Sequence, residues 1–254
     1  MIERQIKFLS ELMNHAISFS PMNGFGWLYR GQSNSDWDVQ PKAGRPPHFS
    51  NEKYLKKLDG FYESDIPDQD LGRLNNWLNR AKAYEQVLPD NKFEQLALAQ
   101  HYGLATRLLD WTSNPLVSLF FACNNHFEKD GAIYCYLPPG GIVRQEVLTP
   151  AEVPFVCLYM PPPFDRRIFA QSGLFTCHPP PYSPIEPGPI EGEEQSQLAA
   201  ISKMKVNLCR LRIPSRFKPM LLRQLDEVGI NYSRLFPDFE GLSKHVNYET
   251  RARQ

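Results

Sequence analysis

The stretch from Gln100 to Cys123, QHYGLATRLLDWTSNPLVSLFFAC, limits what this chain can fold into more than any other. Leu108, Leu109 and the Phe120-Phe121 pair mark it as core, yet Arg107, Asp110, Thr112 and Ser113 stand among them. Burying such polar groups costs several kcal/mol unless each is paired or faces a ligand. The segment is therefore either a satisfied buried network or the floor of a binding site.

Composition narrows the class. A chain of 254 residues, 42% hydrophobic and 22% charged, can bury a sizeable core without disulfide staples. Lys+Arg and Asp+Glu both number 28, so no global field draws it to nucleic acid or anionic lipid. The charge is unevenly placed, however. Between Gln195 and Leu225 there is no acid, while Lys203, Lys205, Arg210, Arg212, Arg216, Lys218 and Arg223 are basic, and Glu191, Glu193 and Glu194 lie just before. An amphipathic strand and helix with solvated charged faces explains that run, and a phosphate-binding face is the alternative. The five cysteines form no CxxC pair and no regular spacing with histidine, which argues against a metal site or a disulfide framework. MIERQIKFLSELMNHAI is charged and helical, unlike a secretory leader, and no segment approaches 18 uninterrupted apolar residues. The expectation is a cytoplasmic protein with no membrane partner.

Apolar periodicity sets out the elements. Ile2, Ile6, Leu9, Leu12, Met13 and Ala16 recur at helical spacing, closed by Pro21, so a helix is expected over residues 1–21. Trp27 to Gln32 reads as a short strand entering a glycine turn. Helical patterns follow from Asn51 to Leu88, with Tyr54, Leu55, Leu58 and Phe61 on one stripe and Leu71, Leu74, Leu78 and Ala81 on the next, and again from Phe93 to Tyr102, ended by Gly103. Strands are expected at Ala132–Leu137, Val153–Met160 and Val206–Ile213, and helices at Leu116–His126 and about Arg216–Val228. Pro179 to Pro189 belongs to an extended surface loop. The mixture lacks regular βα alternation, a G-x-G-x-x-G or a Walker A sequence, so the class is α+β with a mixed or antiparallel β core.

Four polar segments are candidates for a site. In Tyr29-Arg30-Gly31-Gln32, an arginine at a strand end adjoins a glycine that would let a ligand approach the backbone; the alternative is a structural ion pair. In Asp110-Trp111-Thr112-Ser113-Asn114-Pro115, capping accounts for Ser113 and Asn114, but not for Arg107, Asp110 and Thr112 so close together, and a helix N-terminus also receives anions. RRIFAQSGLFT combines Arg167, Gln171 and Gly173 with apolar residues. In LFPDFEGL, Asp238 and Glu240 flank Phe239 at a helix start, where acids complement the dipole.

WLYRGQ, LAQHYGLATRLLDWTSNPLVSLFFAC, RRIFAQSGLFT and LFPDFEGL, in that order from roughly Phe25 to Val246, resemble the FRG domain family. That domain would occupy 22–254, with a helical insertion at about 51–92 and a Pro-rich loop at about 179–194. The first motif has Tyr29 where phenylalanine is commoner, and the last has Glu240 where aspartate is. More distantly, the order Arg-Gly, Thr-Ser before a helix, and a late acid is similar to ADP-ribosyltransferases. The resemblance implies that fold and NAD as substrate, with Arg30 on a phosphate or ribose and Ser113 with Thr112 shaping the nicotinamide pocket. Glu240 would face the ribose 2′-hydroxyl, and Tyr29, Gly31, Gln32, Arg107, Asp110 and Gln171 would complete the site. Cleaving the nicotinamide–ribose bond passes through an oxocarbenium-like state, which a carboxylate stabilises, while a guanidinium fork suits the diphosphate. Trp-Thr-Ser-Asn replaces Ser-Thr-Ser, and Asp238 stands where a glutamine or glutamate is usual. A toxin or phage-defence effector, held by an antitoxin and modifying nucleic acid or protein, is implied by analogy. The alternative is a non-catalytic module that binds a nucleotide or a partner.

Overall fold

The computed structural model describes residues 4–18, 27–49, 69–84, 87–137, 148–153, 156–162, 165–178, 181, 185 and 207–252. They form seven strands, β1 (Arg4–Gln5), β2 (Leu28–Gln32), β3 (Leu108–Thr112), β4 (Gly131–Leu137), β5 (Cys157–Tyr159), β6 (Gly173–Cys177) and β7 (Asn207–Ile213). The helices are α1 (Leu9–Ser18), α2 (Gln69–Ala81), α3 (Lys92–His101), α4 (Pro115–Cys123), α5 (Arg166–Ala170), α6 (Lys218–Glu227), α7 (Tyr232–Leu235) and α8 (Phe239–Ala252). The class is α+β. No described helix is long and apolar enough to cross a membrane.

One mixed sheet carries the strands in the order β1-β7-β4-β2-β3-β6-β5, with β1 parallel to β7 and every other pair antiparallel. Its centre is weakly joined. Strand β2 registers with β4 over all of Leu28–Gln32, and β3 with β6 over all of Leu108–Thr112, but β2 and β3 meet at the single pair Tyr29↔Thr112. Each half has its own core on the same face. Helices α1, α4 and α6 bury Leu12, Phe120 and Leu221 over the β2 half, while α2 and α3 bury Leu74, Phe93 and Leu96 over the β3 half. A third cluster, with Leu28, Leu109, Trp111 and Tyr136, lies on the opposite face.

Most elements follow the sequence pattern, because capping agrees with periodicity. Asn91 accepts the Phe93 and Glu94 amides to start α3, Asn114 accepts Leu116 N with Pro115 in the first turn of α4, and Gly103 and Gly229 take positive φ after α3 and α6. The N-terminus departs from expectation. The continuous helix over 1–21 is replaced by β1, whose Arg4 and Gln5 register with Leu211 and Arg212, and α1 begins only at Leu9. Pairing β1 with β7 satisfies a backbone edge that helical periodicity cannot detect, and it draws Ile6 fully into the core. Strands β3 and β6 also had no period of their own in the sequence. The helical stripe at Tyr54–Phe61 and the loop at 179–194, apart from Pro181 and Ile185, lie outside the described residues.

The basic run separates into structural roles. Arg212 donates from Nε to Asp130 at 2.7 Å, and Arg216 lies 4.9 Å over the Phe217 ring. Lys218 is fully buried, its ammonium donating to the carbonyls of Ser33, Asn125 and His126 at 2.7, 3.0 and 2.9 Å. Lys203 and Lys205 lie outside the described residues.

Candidate functional site

The splay between β2 and β3 leaves a gap in the sheet, and α3 and α4 stand on either side of it. Between them opens a cleft of about 400 Å³. All four polar segments contribute: Tyr29, Arg30 and Gly31 from β2; Gln100, His101, Asp110, Thr112 and Phe121 from the long central stretch; Arg167 and Gln171 around α5; and Phe236 before α8. Segments far apart in sequence thus line one cavity.

Arg30 lies at the base of the gap. Its side chain is only 16% exposed, and Nη1 donates to the Asp110 carbonyl at 2.9 Å while standing 3.7 Å from the Asp110 carboxylate. Nε is buried and has no hydrogen-bond partner among the described residues. Burial pulls this guanidinium down to about 10, and the Asp110 charge opposes that fall, so it is cationic at neutral pH. Asp110 projects at the rim, 63% exposed, and accepts from Gln100 Nε2 at 2.8 Å. The Thr106 hydroxyl donates to the other end of the Gln100 amide, which fixes how that amide faces Asp110. Tyr29 remains a phenol, since burial pushes it up to about 12.

The far wall is a relay of backbone clamps. Thr112 Oγ1 donates to the Gln171 carbonyl at 2.7 Å and accepts Asn114 N at 3.0 Å, and Gln171 Nε2 donates to the Leu235 carbonyl at 3.0 Å. Arg167 lies over Phe236, 5.6 Å from the ring centre, and donates from Nε to Asp238 at 3.0 Å. Asp238 also accepts Gly241 N at 2.8 Å, and these bonds, the backbone one foremost, hold its carboxyl below the usual range. Asp238 thereby caps α8 and ties it to the cleft wall.

Several expected site residues lie elsewhere. Glu240 is not among the cleft-lining residues; it is exposed in the first turn of α8 and accepts from Lys244 at 2.7 Å. Arg107 is sealed under α2, where Nε and Nη2 grip the Asp70 carboxylate at 2.7 and 2.8 Å and Nη1 donates to the Pro150 carbonyl at 2.9 Å. Ser113 points to solvent, and Gln32 is buried outside the cleft, donating to the Asp38 carbonyl at 3.1 Å. Gly31, which does line the cleft, also has a packing reason. A Cβ there would stand 1.8 Å from the Ser118 carbonyl, so the absent side chain is what lets α4 lie on β2.

His101 and Gln100 were not singled out in sequence, because a histidine at a helix end has many ordinary explanations. In the fold His101 lines the cleft with Nε2 3.4 Å from Asp165, whose other oxygen accepts Arg167 N and caps α5. The signal that could have found both was adjacency: Gln100-His101 ends α3 where the chain turns back into β3. Among the described residues no group of three or more His, Cys, Asp or Glu could hold a metal ion.

No curated protein and no solved structure matches this chain. Residues 26–131 match the FRG domain, a span that includes the first two segments, while the α5 and α8 segments lie beyond it and line the same cleft. Residues 26–131 therefore carry an FRG domain.

Proposed function

We propose that the cleft binds NAD and cleaves its nicotinamide–ribose bond, passing the ADP-ribosyl group to an acceptor in the cytoplasm on an ADP-ribosyltransferase-like scaffold. The observation that carries this reading is the pairing, in one cleft, of a largely buried cation and a rim carboxylate, Arg30 and Asp110. A guanidinium partly withdrawn from water suits a diphosphate oxygen. A carboxylate nearby stabilises the positive charge that grows on the ribose as the bond breaks. Glu240, outside the cleft lining and paired with Lys244, leaves that role to Asp110. Phe121, Phe236 and Tyr29 offer apolar surface for a nicotinamide or adenine ring, and His101 beside Asp165 is a proton acceptor on the same wall. Acceptors among nucleic acids or proteins, and control by an antitoxin, belong to the same proposal.

Nicotinamide release from NAD by the purified protein, with and without cell extract, tests it. Arg30→Ala and Asp110→Asn should each lower release at least about 100-fold, in the range of a lost electrostatic contact to a transition state, while Glu240→Gln should leave it within about twofold. NAD binding by calorimetry without release would establish a non-catalytic nucleotide module. Neither binding nor release would overturn the proposal.

A further inference from the structure

Four of the five cysteines face one another in two cross-strand pairs: Cys135↔Cys209 between β4 and β7, and Cys157↔Cys177 between β5 and β6. All are free thiols. Residues directly opposed in an antiparallel ladder have Cα atoms about 4.5–5.5 Å apart, inside the about 4.4–6.8 Å window that a disulfide spans. The pairs differ in access. Cys157 is 6% exposed and Cys177 is fully buried, so both are sealed in the core below α2 and α3. Cys209 is partly exposed, and its partner Cys135 is fully buried behind it.

We infer that Cys209 and Cys135 form a modification site for peroxides, with Cys209 as the attacking thiol and Cys135 as the resolving one. Sensor thiols of this kind pair a reachable sulfur that favours its thiolate with a protected sulfur within reach. The Cys135 thiol donates to the Cys209 sulfur, which lowers the Cys209 pKa, and the nearby Arg4 guanidinium adds to the effect; Cys135 itself is held well above its ordinary value. The Cys209 thiolate attacks one peroxide oxygen and breaks the O–O bond, giving Cys209 sulfenic acid and, after protonation, water. Cys135 then loses its proton and attacks the sulfenic sulfur, the S–O bond breaks, and a second water leaves. Two thiols give up two electrons and two protons, and hydrogen peroxide becomes two waters.

The location links this chemistry to the cleft. Cys209, Cys135, Tyr29, Thr112 and Gly173 form one unbroken row of register partners across β7, β4, β2, β3 and β6. Tyr29 is the direct neighbour of Cys135 and part of the cleft lining, so a bond that draws β4 and β7 together acts one strand away from it.

The folded protein would be exposed to hydrogen peroxide, its remaining thiols alkylated after denaturation, and its peptides mapped by mass spectrometry. The expected product is an intramolecular Cys135–Cys209 disulfide, with Cys123, Cys157 and Cys177 recovered as alkylated thiols. Cys135→Ala should abolish the disulfide and leave Cys209 trapped by a sulfenic-acid reagent. Cys157–Cys177 bridging first, Cys209 bridging between molecules, or Cys209 surviving as a free thiol in the wild-type protein would each overturn the inference, and the wild-type result stands whether or not the variant folds.

Discussion

The Arg107–Asp70 pair is the strongest single commitment of the buried polar stretch, and breaking it has a calculable effect. Both side chains are 1% exposed, and the carboxylate is gripped by two donors. Asp70→Leu takes the carboxylate away from a buried guanidinium that also donates to the Pro150 carbonyl, and Arg107→Met strands a carboxylate. Removing one partner of a buried pair costs about 3–5 kcal/mol, whereas replacing both with apolar residues of similar volume is close to neutral. In the double variant the Pro150 carbonyl loses its donor, at about 1–3 kcal/mol. Urea denaturation of the two single variants and the double should therefore give losses of about 3–5, 3–5 and 1–3 kcal/mol, so the double is more stable than either single. Additive losses, or single losses below about 1 kcal/mol, would refute the reasoning. Because Arg107 lies outside the cleft, folded Arg107→Met should also keep the ligand affinity of the wild type, and a selective loss of binding would return this residue to the site.

Two further outcomes follow from close packing and from burial. Gly31→Ala sets a Cβ against the backbone of α4, 1.8 Å from the Ser118 carbonyl, so it should cost at least the upper end of the about 1–3 kcal/mol typical of overpacking, read by the same denaturation. His178 is 1% exposed, and burial, reinforced by Arg30, pulls its imidazole from 6.5 to about 3. The unfolded chain therefore binds this proton first as the pH falls, and stability should drop by about 1.4 kcal/mol per pH unit between 6.5 and about 3. Stability curves at pH 7, 6 and 5 should be flatter for His178→Gln, and parallel curves would show that the imidazole is not held neutral.

The helices were legible in the sequence because their caps and apolar stripes agree, as at Asn91, Asn114 and Gly229. Arg107 and Asp110 show what was not legible. They are three residues apart and looked like one polar group, but pairing with β6 and packing under α2 send Arg107 to Asp70 and leave Asp110 at the cleft rim. Asp70 itself lies in a helix remote in sequence, so no local pattern announces the pair. Glu240 resembled a catalytic acid by its place in the chain order, yet Asp238 two residues earlier caps α8 and holds Arg167, which turns that segment into a clamp. The strand β1 was hidden for a similar reason, since the strand it pairs with among the described residues, β7, lies about 200 residues away.

The single registered pair between β2 and β3 makes the sheet two ladders joined at one narrow seam. Beside that seam, the Arg30 bond to the Asp110 carbonyl does the work of a missing ladder bond and latches the ladders together. An anion that took up the Arg30 guanidinium would compete with this latch, so binding there would bear on how the two halves of the sheet are held together. The side chain proposed to hold the ligand is thus also one that joins β2 to β3.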